Sequence, residues 1–284
     1  MLDIFRTMPV EARRENLAAY RDFLLNRDGT KDLDKRQLDR REEGMRRYER
    51  PLPRIREIDR GVFDAQYKAF DPKVEMSPEL TLLLALVKVN GAEAYGVEAG
   101  FDAALKRALK SKDECELTLL CEETYHTRIL LSTALSYGVD ATAPFVPPPS
   151  LRVLIGAIGA TPPFIARPLI FASEVLGVLV FSSLLDKSRQ ILSHDPEMRD
   201  AVEERLSEVL VDEMGHCSYN RMLLGPAGLA QARVLVPIIA AAMSSTIPEL
   251  KALGAMPSDT GEAIARLVSG SLIPEHVTQS AFIS

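Results

Sequence analysis

The chain has no tryptophan, three cysteines and four histidines in 284 residues, and aromatic residues make up only 6% of it. Three thiols, an odd number, do not make a disulfide framework, so Cys115, Cys121 and Cys217 read as reduced, buried residues of a cytoplasmic protein. Positive charge is not in excess. A net charge of −6 offers no basic face to nucleic acid. The opening residues, MLDIFRTMPVEARRENL, turn charged before an apolar run develops, so no secretory signal is expected. No GxGxxG signature for a dinucleotide or flavin occurs. No stretch sustains period-two alternation, which argues against a sheet.

Apolar residues in helical runs are abundant, at 46% of the chain. Residues 163–185, PFIARPLIFASEVLGVLVFSSLL, are long enough to cross a bilayer. They also contain Arg167, Pro168 and Glu174, and an all-round apolar helix equally suits the middle of a large bundle, so no membrane contact is expected. The predicted order is an N-terminal helical part over 9–60, including the solvated charged stretch KDLDKRQLDRREEGMRRYER. Core helices follow at 78–109 and 113–137, then a proline-rich linker, ATAPFVPPPS, at 141–150. A second core pair covers 163–192 and 197–224, and further helices cover 228–253 and 258–270. The whole reads as one helical domain over 1–284, with its core at about 78–224 and flanking helices at 9–60 and 228–270.

Two tetrads stand out: Glu123-Thr124-Tyr125-His126 and Glu213-Met214-Gly215-His216, each preceded by a further acid. Residues three apart share a helical face, so each tetrad aims a carboxylate and an imidazole at one point. Four-helix bundles that hold two bridged metal ions use such a pair on two helices and one inward glutamate on each of the other two. Short turns make residues equidistant from the turn equal in height, which selects partners for the tetrads. For Glu213 the partner is Glu174, the only glutamate in its helix. A salt bridge from Glu174 to Arg167, seven residues away, is the alternative. For Glu123 the counting favours Glu98 over Glu93, which a longer or tilted hairpin would bring level instead.

Glu98, Glu123, His126, Glu174, Glu213 and His216 thus form the expected ligand set, with Glu123 and Glu213 bridging. Four carboxylates and two imidazoles suit two iron ions per chain, or a manganese/iron pair, with O2 as co-substrate. Glu122 and Asp212, one step before each ligand, either accept the second ring N–H of a ligating histidine or are surface acids. Tyr95, Leu120, Tyr125 and Phe171 are candidate lining for an apolar or aromatic guest, or ordinary core.

The segment Glu122-Glu123-Thr124-Tyr125-His126-Thr127 resembles the acid-Glu-x-aromatic-His-Thr segment of the p-aminobenzoate N-oxygenase family. Glu98 in GVEAGF, Ala172-Ser173-Glu174 and Asp212-Glu213-Met214-Gly215-His216 resemble that family's other ligand segments, in order, over about residues 85–245. The resemblance implies an all-α, ferritin-like four-helix bundle core with additional N- and C-terminal helices. It implies a di-iron oxygenase that N-oxygenates or hydroxylates a small-molecule substrate. Its two electrons would come from an external reductase or ferredoxin. One position departs: where the family carries a third histidine, four residues before the fourth-helix glutamate, this chain has Val209. The six remaining ligands are those of O2-activating ferritin-like proteins in general. A non-enzymatic ferritin-like iron-handling protein is the alternative, and apolar C-terminal helices suit a homodimer.

Overall fold

A computed structural model describes residues 4–26, 46, 52, 54–111, 114–139, 147–149, 152–153, 155–156 and 161–284. The charged stretch at 31–50, apart from Arg46, and most of the proline-rich linker lie outside the described residues. Every regular element among the described residues is helical, with no strand: α1 (Val10–Asn26), α2 (Arg60–Lys68), α3 (Pro78–Ser111), α4 (Glu114–Leu135), α5 (Pro163–Ile191), α6 (Pro196–Leu223), α7 (Pro226–Thr246), α8 (Pro248–Ala252), α9 (Thr260–Ser269) and α10 (Glu275–Ser280).

Local chemistry sets these boundaries. Asp195 caps α6 by accepting from the Met198 amide at 3.1 Å, and Pro196 at the first helical position loses no hydrogen bond. The expected helix over 228–253 is broken in two. Pro248 has no amide to donate, and it drives Ile247 before it out of the helical region, to φ −125° and ψ 74°. α9 ends at Gly270, whose φ of 75° is the left-handed conformation glycine adopts without strain. Two helices, α2 and α10, were not anticipated, being too short to carry a clear apolar period.

α3 packs on α4 and α5 on α6, making two hairpins, and α4 packs against α6 between them. The core is filled from both hairpins by Leu83, Leu84, Ile129, Leu130, Leu179, Phe181, Leu206 and Leu210, all with at most 1% exposure. Truncating a ring buried like Phe181 to alanine costs about 3–5 kcal/mol, since the neighbours cannot close the cavity. Polar bonds join the hairpins: Arg205 Nε donates to Ser132 Oγ at 2.8 Å, and Tyr125 Oη to Glu208 Oε2 at 3.1 Å.

α1 lies across α4 and α6 through Tyr20 and Leu24, which pack with Cys115, Leu119, Tyr219 and Met222. The thiols divide: Cys115 is buried, Cys217 is half-buried, and Cys121 is exposed, contrary to the expectation that all are internal. Three helical stretches have the length and composition to cross a membrane, Pro78–Glu98, Phe164–Ile191 and Pro226–Thr246. The first two are 61% and 67% buried within the fold, whereas the third is only 22% buried.

Candidate metal centre

Both tetrads lie in mid-helix, on α4 and α6, where the backbone makes its own hydrogen bonds and only side chains are left to face one another. One ligand atom from each of Glu123, Glu174, Glu213 and His216 lies within 4.8 Å of the others, a group that could hold a metal ion. His126 joins it through Nδ1, 3.5 Å from Glu213 Oε1 and 3.8 Å from Glu123 Oε2. His216 Nδ1 lies 2.8 Å from Glu123 Oε1 and 3.6 Å from Glu174 Oε2. The carboxylate of Glu123 therefore reaches toward both imidazoles, whose ring centres are 5.7 Å apart.

The outer ring nitrogens are engaged crosswise. His126 Nε2 donates to Asp212 Oδ2 at 3.0 Å, and His216 Nε2 donates to Glu122 Oε2 at 3.0 Å. Each acid preceding a tetrad thus serves the histidine of the other tetrad, on the facing helix. A carboxylate only accepts, so both Nε2 atoms carry a proton, and the neutral form of each imidazole presents its lone pair at Nδ1. Both Nδ1 atoms are buried and make no hydrogen bond, despite the carboxylates around them. A buried nitrogen without a hydrogen bond is costly, and a metal ion at each Nδ1 would satisfy it.

The first-helix glutamate differs from the expectation. Glu98 is exposed, whereas Glu93 buries Oε2 with no hydrogen-bond partner. Burial and the charges of Glu213, Glu123 and Glu174 hold its carboxyl well above the usual range, opposed only by His126. Five residues along a helix turn the side chain by about 140°, so α3 cannot aim both inward. Counting from the turn assumed arms of equal reach, but the inward face of α3 is the one continuing from Leu86 and Asn90, which leads to Glu93.

Glu174 lies among Phe171, Val175, Leu176 and Val178, all buried, and Arg167 pairs with Glu116 at 3.9 Å. Burial, then the charge of Glu213, pushes the Glu174 carboxyl up to about 8, against the pull of His216. Burial disfavours the charged form of His126, yet its bond to Asp212 and the nearby carboxylates of Glu213 and Glu123 push it up to about 10. His216 is raised for the same reasons, with Glu122, Glu123 and Glu174 as partners. Glu123 is held low: burial opposes it, but the adjacent His216 and His126 outweigh burial. Without metal, protons do the work of cations in a crowded acidic site.

Two glycines make the space, and no sequence signal marks them. A Cβ on Gly177 would lie 2.8 Å from Glu213 Oε2, so its absence lets that carboxylate rest against α5. A Cβ on Gly215, inside the second tetrad, would lie 3.3 Å from the Tyr20 ring, so α1 closes over that side. The other histidines serve elsewhere. His194 is exposed and lies 3.0 Å from the Ile191 carbonyl through Nδ1, and His276 is 3.2 Å from Ser207 Oγ. Val209, at the third-histidine position of the resembled family, is fully buried in the apolar core. Of the candidate guest-lining residues, Tyr125 is buried and tied to Glu208, and Phe171 lines a cavity together with Val178, Met214 and Cys217.

No protein-family model, curated protein or solved structure matches the chain.

Proposed function

We propose that this chain is a ferritin-like, carboxylate-bridged di-iron oxygenase that uses O2 to oxidise a small organic substrate. The observation that carries the reading is the pair of buried, unbonded Nδ1 atoms of His126 and His216, each turned toward carboxylates while its Nε2 is locked to an acid. Glu93 would serve the ion on the His126 side and Glu174 the ion on the His216 side, with Glu123 and Glu213 shared between them. Reduced iron in that oxygen-rich donor set supplies the electrons and Lewis acidity that O2 activation needs.

The protein's own groups do the rest. Asp212 and Glu122 hold both imidazoles in one tautomer and raise their basicity. Leu176, Val178, Leu210 and Val211, all buried, lie within four residues of Glu174 or Glu213 and give their helices apolar packing around the site. Val209 leaves no third imidazole here, so N-oxygenation and C-hydroxylation both remain within the reading. The two electrons would come from a separate reductase or ferredoxin, in the cytoplasm.

The test is anaerobic loading with Fe(II), removal of excess metal and measurement of iron per chain. Two bound irons are expected, falling in Glu174→Ala, and a chain that retains none overturns the proposal. Substrate-dependent O2 consumption then separates an oxygenase from an iron-handling protein of ferritin type.

A further inference from the structure

We propose that a cavity between α5, α6 and α9 is the chamber where the substrate meets this centre, and that the substrate is a small, uncharged, apolar molecule. The inference rests on the di-iron reading above. The cavity has a volume of about 270 Å³, with Phe171 and Val178 of α5, Met214 and Cys217 of α6, and Leu267 and Ile273 among its walls.

Its position follows from helical spacing. Phe171 and Val178 stand three before and four after Glu174, and Cys217 stands four after Glu213. Residues at these offsets share a face one turn apart, so the cavity wall continues the faces that carry two of the ligands. Cys217 is the partition: it directly follows His216 in the chain, is half-buried and forms part of the cavity wall.

The ligand class follows from what the polar wall groups are doing. Ser218 Oγ donates to the Phe282 carbonyl at 3.1 Å, Ser269 Oγ to that of Arg266 at 3.0 Å, and Thr278 Oγ1 to that of Glu275 at 2.8 Å. Arg221, the one charged side chain among the described residues of the wall, donates to the Arg6 carbonyl through Nη2 at 2.9 Å and to the Ser284 carbonyl through Nη1. It clasps two chain segments beside the cavity, and an anion would have to draw it away from them. A charge buried without such rearrangement would lose its hydration with no return.

The probes are 4-fluorotoluene and 4-fluorobenzoate, titrated into the metal-free chain and followed by fluorine NMR. Saturable binding of 4-fluorotoluene is expected, at least tenfold tighter than 4-fluorobenzoate. It should weaken at least tenfold in Leu267→Trp, with Ile273→Phe as a second filling variant should the first not fold. In Mn(II)-loaded protein the bound resonance should broaden strongly relative to the Zn(II)-loaded form, because the cavity adjoins the metals. No saturable binding, a preference for the carboxylate, or binding without Mn(II) broadening overturns the proposal. A chain that binds 4-fluorotoluene but takes up no metal overturns the di-iron reading, and with it the substrate role, while leaving an apolar-ligand site.

Discussion

His216 Nε2 lies 3.0 Å from Glu122 Oε2, and Glu122 belongs to the helix that carries the other tetrad. The pairing is matched by His126 and Asp212 at 3.0 Å, so α4 and α6 are tied by two reciprocal bonds directly behind the candidate ligands. Such partners orient a ligating imidazole, and losing one typically weakens metal binding about 10–100-fold. Glu122→Gln and Asp212→Asn should each lower metal affinity by that factor while leaving the helical circular dichroism unchanged. Titration with Fe(II) under anaerobic conditions, or with Zn(II), measures it. Unchanged affinity in both variants would refute the outer-partner role.

Glu93 and Glu98 make a matched comparison on one helix. Glu93→Ala should reduce the bound metal below two per chain, because its Oε2 is buried without a partner and the charges of Glu213 and His126 act on it. Glu98→Ala, at an exposed position, should retain both ions. The reverse result would restore the register argument and place Glu98 in the site.

Metal uptake should release protons. Near pH 7 the metal-free site holds protons on His126, pushed up to about 10, and on Glu174, pushed up to about 8. A metal ion needs the deprotonated form of each, so roughly two or more protons leave on binding at pH 7. Apparent affinity should rise from pH 6 to pH 8 as these protons become easier to displace. Calorimetry in buffers of different ionisation enthalpy counts them, and an uptake heat independent of buffer would contradict the prediction.

Acid stability should depend on Arg56 and Asp195, which join the segment before α2 to the cap of α6 at 2.8 Å and 3.0 Å. The bond to Arg56, against the opposing effect of burial, brings the Asp195 carboxyl from 3.8 down to about 2. A folded value below the unfolded one means the stabilisation is complete above about pH 4 and is lost as pH falls through about 2. The difference corresponds to about 2 kcal/mol. Asp195→Asn keeps a capping side chain, so it should remove about that much at pH 7 and flatten the stability change between pH 4 and pH 2. Urea unfolding at each pH measures both effects.

Much of the local structure was legible in the sequence, because capping, proline and apolar period act within a few residues. The predicted 163–192 and 197–224 match α5 and α6 to within one residue at each end. Glu-x-x-His repeated on two helices was equally visible, since three residues of separation suffice to place both groups on one face. Glu174 stands out in the sequence because a lone acid in an apolar helix has few other uses.

Other decisions needed the packed molecule. Whether Glu93 or Glu98 turns inward depends on the rotation and tilt of α3 against its neighbours, which counting from a turn does not contain. The crosswise pairing of Glu122 with His216 and Asp212 with His126 joins residues 94 and 86 positions apart. It exists only because α4 and α6 face each other at that height. Gly177 and Gly215 matter through atoms they lack, which shows only once Glu213 and Tyr20 occupy the space. The sequence by itself determined the helices and the kinds of donor they carry, through short-range backbone chemistry. The tertiary structure alone decided which donors converge, because convergence depends on how whole helices rotate and pack.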